Sequence, residues 1–132
     1  MVDRRVAGER FAFDEDVWAE EVDRFRLGGA ANRSAVSARA QIERSGARIP
    51  VRPCEQQGRD GSRLAGCAKV YVPIGAEPSR APYGFVFVLR TGQGSGMVVL
   101  RLIAFGERHP PPGVRSVYER AHRRLHGRYP DQ

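Results

Sequence analysis

Ala68-Lys-Val-Tyr-Val72, Tyr83-Gly-Phe-Val-Phe-Val-Leu-Arg90 and Met97-Val-Val-Leu-Arg-Leu-Ile-Ala-Phe105 are three runs rich in Val, Ile, Phe and Tyr within a chain of 132 residues. Such side chains fit a pleated, half-buried surface, so each run predicts a β-strand. Between the last two lies Thr91-Gly-Gln-Gly-Ser-Gly96. A phosphate-cradling loop needs Gly-Lys-Ser/Thr leading into a helix; here a Val-rich strand follows and no lysine is present. The run is therefore a hairpin turn.

Upstream, Arg10-Phe-Ala-Phe13 alternates and predicts a short strand. Asp14 is placed to cap a helix reaching about Arg26, with Trp18, Val22 and Phe25 on one face and Gly28-Gly29 ending it. A second helix is expected over Asn32–Ser45, stopped by Gly46. Residues 50–66 hold Pro50, Pro53, Gly58, Gly61 and Gly66 and read as a loop. Downstream, His109-Pro-Pro-Pro-Gly113 is a rigid linker. Val114–His126 is a final helix, with Val117, Ala121 and Leu125 at helical spacing. The expected fold is α+β: two N-terminal helices and a C-terminal helix packed on a small, mainly antiparallel sheet. One domain spans residues 10–127, between a flexible N-terminus (1–9) and a short tail (128–132).

Composition narrows the function. Lys plus Arg is 22 and Asp plus Glu is 15, giving a net charge of +7. Residues 1–66 carry 12 basic and 11 acidic side chains, residues 67–132 carry 10 and 4, so the positive field belongs to the C-terminal half. A polyanionic partner fits that half. Twenty-one of the basic residues are Arg, and Lys69 is the only lysine. No run approaches the ~18 apolar residues of a membrane span, so no membrane partner is expected. The N-terminus lacks the apolar stretch of a secretory signal. Cys54 and Cys67 are too few for a disulfide scaffold, and the expected compartment is the reducing cytoplasm.

Conventional catalytic signatures are missing. The two cysteines make no CxxC pair, and His122 and His126, four apart, have no nearby carboxylate or Cys and read as a solvated helix face. No metal and no cofactor are expected. No Gly-x-Ser-x-Gly elbow occurs. The carboxylates clustered over Asp14–Asp23 fall on helix-capping positions. The cations are more suggestive. Lys69 and Tyr71 share one face of their strand, and Arg108 and His109 follow the end of the last strand. Arg115, Tyr118 and Arg120 lie at the start of the final helix. In one antiparallel sheet, Lys69, Arg108, His109 and Tyr118 would converge on one concave surface. Cations there can neutralise charge developing on a phosphate, Tyr or His can carry protons, and aromatic rings can stack an unpaired base.

The three strands, with Gly106-Glu-Arg108 ending the last and a helix opening Ser116-Val-Tyr118, resemble the RelE toxins of bacterial toxin–antitoxin pairs over roughly residues 10–127. The resemblance implies a toxin that enters the ribosome and cuts mRNA, using a basic pocket to drive attack of a ribose 2′-hydroxyl on the neighbouring phosphate. It implies as partners the ribosome, mRNA and a cognate antitoxin. Lys69 then matches a lysine acting on the nucleophile or transition state, Arg108 an arginine on the phosphate, and Tyr118 a tyrosine that orients substrate. Some relatives place a His beside that arginine, which makes His109 a candidate proton carrier, and Tyr71, Arg90, Arg101, Arg115 and Arg120 are candidate RNA contacts. The chain departs from the family at Gly84, where an arginine is usual, and at Tyr71, which stands for a second lysine. The linker before Tyr118 is four residues longer. Arg90 and Arg101 are the candidates to replace the missing cation. Two other readings fit the same residues: a ParE-like gyrase inhibitor of the same fold, and a non-catalytic RNA- or protein-binding module.

Overall fold

The computed structural model describes residues 9–26, 29–45, 51–54, 63–64, 66–73, 82–91 and 98–126. Five strands form one sheet: β1 (Glu9–Ala12), β2 (Arg52–Pro53), β3 (Cys67–Val72), β4 (Tyr83–Thr91) and β5 (Val98–Glu107). Their order is β1-β5-β4-β3-β2. β1 runs parallel to β5, and the other neighbours are antiparallel. Three helices pack on the sheet: α1 (Glu15–Glu21), α2 (Ala30–Ser45) and α3 (Val117–Leu125). The fold is α+β, with the sheet mainly antiparallel.

The local reasons follow the sequence closely. The Asp14 carboxylate accepts from the backbone N–H groups of Asp16 and Val17, satisfying donors at the start of α1. α1 is shorter than the apolar spacing predicts. It ends at Glu21, and a 3-10 turn over Asp23–Phe25 carries Phe25 onto the same apolar face. Gly29, at φ 77°, then turns the chain into α2, which begins at Ala30 rather than Asn32. The Asn32 side chain instead donates to the Val22 carbonyl (3.3 Å), which also accepts from the Phe25 N–H (3.0 Å).

The expected loop over residues 50–66 contains a strand. Arg52–Pro53 pairs with Lys69 and Ala68 at the sheet edge, where a proline without an N–H costs no inner ladder bond. Glu9, assigned to the N-terminus by sequence, heads β1 opposite Val98. Gly28, Gly46, the Gly92–Gly96 turn and the 128–132 tail lie outside the described residues, yet β4 and β5 run antiparallel out to the Thr91–Val98 pair. The last helix starts at Val117, three residues later than expected. There the Ser116 hydroxyl accepts from the Glu119 N–H while the Glu119 carboxylate accepts from the Ser116 N–H, a capping box.

The sheet has two unequal sides. On one, α1 and α2 bury Trp18, Val22, Ala35 and Ile42 against Val70, Val72, Phe85, Phe87, Leu100, Leu102 and Phe105. On the other, α3 packs Val117 and Ala121 on Val86, Val88, Ile103 and Ala104. A β-bulge makes both possible. Val86 pairs with Ala104 and Phe87 with Leu102, leaving Ile103 as an extra residue. That residue shifts the alternation, so Leu100, Leu102 and Phe105 all face the larger core.

Candidate functional site

Alternation along β3 sends Ala68, Val70 and Val72 into the larger core and leaves Lys69 and Tyr71 half-buried on the α3 side. Tyr71 lies opposite Gly84 on β4. Arg108 follows β5, its N–H fixed to the Pro82 carbonyl at 2.8 Å. Its stem lies across Gly84: a Cβ there would stand 3.5 Å from Arg108 Cγ. The guanidinium reaches 3.8 Å above the Tyr71 ring, within cation–π range. Its Nε donates to the Tyr118 hydroxyl at 3.3 Å.

The Lys69 ammonium stands between the two tyrosines, 5.6 Å from the Tyr71 ring centre and 5.4 Å from that of Tyr118. Two cations and two aromatic rings therefore interleave. They line a cavity of about 540 Å³ together with His109, the Pro110–Pro112 run, Val114, Ser116, Glu119, Leu64 and Cys54. That volume is in the range of small-ligand sites. Among the described residues Glu119 is the single acidic one that lines it, and its carboxylate is engaged in the helix cap.

Lys69, Arg108, His109 and Tyr118 are thus brought together, with Tyr71 at their centre. The other four candidates lie elsewhere. Arg90 is exposed on β4 and Arg101 is exposed on β5, 3.9 Å from the Asp14 carboxylate. Neither lines the cavity, so neither supplies the cation that Gly84 lacks. The stem of Arg108 lies over Gly84 from the neighbouring strand end. Arg115 and Arg120 face a separate concavity on the other side of the first turn of α3.

Sequence reading missed two features. Arg52, placed in a loop, is carried by the edge strand to 5.2 Å from the Tyr71 ring. Nothing in a Pro-containing loop signals that. Glu21, grouped with capping carboxylates, is 2% exposed. It accepts from the Phe105 N–H (3.0 Å), from Arg120 Nε and Nη2 (2.9 and 2.8 Å) and from Arg124 Nη2 (3.1 Å). Burial pushes its carboxyl pKa up, but the Arg120 fork, the Phe105 N–H and Arg124 together hold it below the ordinary carboxylate value. A signal was present: Glu21 sits in the Trp18, Val22, Phe25 stripe, where an unpaired charge would be costly.

Desolvation, reinforced by the neighbouring Cys67, pushes the Cys54 thiol up to about 12, and burial pushes Cys67 up to about 11, so neither is a thiolate nucleophile at neutral pH. His122 and His126 are not simply a solvated face. His122 Nδ1 accepts the Arg63 N–H at 3.0 Å, and His126 Nε2 lies 3.3 Å from the Arg63 carbonyl, so the pair fastens that segment to α3. Among the described residues no group of three or more His, Cys, Asp or Glu is placed to hold a metal ion, and no helix is long and apolar enough to cross a membrane. No family model, no curated protein and no solved structure matches the chain, and the chemistry of the site rests on its own residues.

Proposed function

We propose that the chain is a RelE-like toxin of the cytoplasm, an endoribonuclease that cuts mRNA on the ribosome and is neutralised by a cognate antitoxin. The observation that carries this is the single cavity in which Lys69, Arg108, His109 and Tyr118 meet around Tyr71. In this reading the ribose 2′-oxygen attacks the adjacent phosphorus and the bond from phosphorus to the 5′-oxygen breaks. The products are a 2′,3′-cyclic phosphate and a 5′-hydroxyl. Arg108 holds the non-bridging oxygens, and Lys69 offsets charge that develops in the transition state. Tyr118, positioned by the Arg108 Nε, orients the nucleotide. Tyr71 offers a ring edge for a base, and His109 at the rim takes the 2′ proton and returns one to the leaving oxygen.

Gly84, where the resembling family carries an arginine, is the feature on which the gyrase reading rests. The convergence of Lys69, Arg108, His109 and Tyr118 on one cavity supports the nuclease reading over it. An antitoxin would cover the basic C-terminal half with acidic residues. The test is cleavage of mRNA in vitro with and without ribosomes. Wild-type protein is expected to cut only with ribosomes, and Lys69→Ala and Arg108→Ala should each lower the rate by about 10²-fold with an unchanged melting temperature. Inhibition of DNA supercoiling without cleavage would support the gyrase reading instead. RNA binding without cleavage would leave only a binding module.

A further inference from the structure

Arg52 has no part in the mechanism proposed above, yet the edge strand brings it beside the same site. It pairs directly with Lys69 across β2 and β3, and residues directly opposite in an antiparallel pair project to one face. Lys69 and Tyr71 share that face. The Arg52 guanidinium lies 5.2 Å from the Tyr71 ring centre, within cation–π range. Arg108 stands 3.8 Å from the same centre and the Lys69 ammonium 5.6 Å. The two guanidinium carbons are therefore within about 9 Å of each other. That is about a Debye length at physiological salt, so an anion beside Tyr71 feels both cations.

The needs of the fold do not explain this placement. Arg52 and Lys69 are like charges set directly opposite on one strand face, which works against folding. An exposed cation–π contact is of similar size and opposite sign, so Arg52 adds little net stability. Its side chain is exposed, on a two-residue edge strand, and is open to a ligand from solvent.

We infer that Arg52 is an RNA-binding residue, taking a backbone phosphate adjacent to the one held by Lys69 and Arg108. Its role rests on the RNA reading proposed above and sets the substrate class of that site: a strand carrying a phosphate beyond the reacting one, not a mononucleotide. Arg52 does not itself line the cavity, so it stands outside the place of the reacting phosphate. It does share the sheet face over which a strand leaving the cavity would pass. A planar guanidinium fork suits phosphate oxygens, and a neighbouring ring on which a base can stack favours nucleic acid over an acidic protein.

The test is binding of labelled 2′-O-methyl poly(U), a strand without the free hydroxyl that cleavage requires, followed by fluorescence anisotropy over a range of salt concentrations. Each phosphate contact contributes about 0.7 to the slope of log affinity against log salt for single strands, so Arg52→Ala should bind more weakly with a slope shallower by about 0.7. Arg52→Lys keeps the charge and should keep the slope. The control is Arg33→Ala, which removes an exposed arginine of α2, across the sheet, and should leave the slope unchanged. Uridine 3′-monophosphate, which carries a single phosphate, should compete equally well in wild type and Arg52→Ala. Arg52→Ala should melt no lower than wild type.

An unchanged slope in Arg52→Ala overturns the inference, and a lower melting temperature beside it assigns Arg52 to the packing of Tyr71. An equal loss in the control overturns it in favour of a diffuse field. If Arg52→Ala weakens uridine 3′-monophosphate as much as the strand, Arg52 serves the reacting phosphate and the adjacent contact is overturned. Poly-glutamate binding that depends on Arg52 while the RNA slope does not would identify an acidic protein instead. The two proposals fail differently. Ribosome-dependent cleavage with no slope change in Arg52→Ala sinks this inference alone, whereas the expected slope change without cleavage sinks the nuclease reading alone. Wild-type protein that neither binds nor cuts RNA sinks both.

Discussion

Glu21 and Gly84 show how single residues set the packing around the candidate site. Glu21 ties α1 to β5 and α3 through the Phe105 N–H and two arginines. Its folded pKa lies below its ordinary value of 4.5. The sign follows from linkage: the native state binds the proton less readily than the unfolded chain. The stabilisation is complete above about pH 4.5 and is lost as pH falls through the folded pKa. Urea midpoints measured from neutral to acid pH should fall on acidification. Glu21→Gln should be destabilised by about 3 kcal/mol at pH 7, from the broken buried pair, and should show a flatter acid dependence. Gly84 acts through space alone. A Cβ there meets Arg108 Cγ and the Val70 carbonyl at ordinary contact, 3.5 Å, so Gly84→Ala should keep its cleavage rate. Gly84→Val adds methyl groups where the Arg108 stem lies. It should cost about 1–3 kcal/mol from overpacking, and cleavage should fall by far more than the shift in melting temperature accounts for.

At the scale of elements, the position of α3 sets the geometry of the cavity. Three prolines lead into it, and the Ser116–Glu119 capping box decides that the helix begins at Val117. Tyr118 is therefore in the first turn, where its hydroxyl meets Arg108. Ser116→Ala should cost about 1 kcal/mol of stability and loosen that turn, so cleavage should fall while affinity for RNA changes little; a rate equal to wild type would show that the cap does not position Tyr118. Phe85 and Phe87 of β4 serve the opposite side, packing against α1 and α2, while the bulge at Ile103 turns that residue toward α3.

For the whole molecule, the larger core and the candidate site lie on opposite sides of the sheet. Its larger core side holds Trp18, 9% exposed and in ring contact with Phe13 and Phe85, so Trp18 fluorescence reports unfolding of that core. Phe85→Ala, which empties a fully buried position, should lower stability by about 4 kcal/mol in a denaturant titration. Lys69→Ala, on the other side, should leave the titration curve where it is. Equal destabilisation by both would mean that the site cations are part of what holds the fold together.

The sequence by itself determined the three long strands and the existence of three helices, because periodicity is local. The alternation of Lys69 and Tyr71 with Ala68, Val70 and Val72 put both on one strand face. The Trp18, Val22, Phe25 spacing marked the buried side of the first helix, and the Asp14 cap marked its start. Four of the site residues were legible for the same reason, each standing at a strand face, a strand end or a helix start. What only the tertiary structure decided is how those faces meet. Arg120 reaches a carboxylate 99 positions earlier in the chain. Arg108 lays its stem over Gly84, and Arg52 comes to Tyr71 by way of an edge strand inside an expected loop. Such contacts depend on strand order, register and a one-residue bulge. A shift of one position would turn each side chain to the other face, and no local pattern records which register the packed sheet adopts.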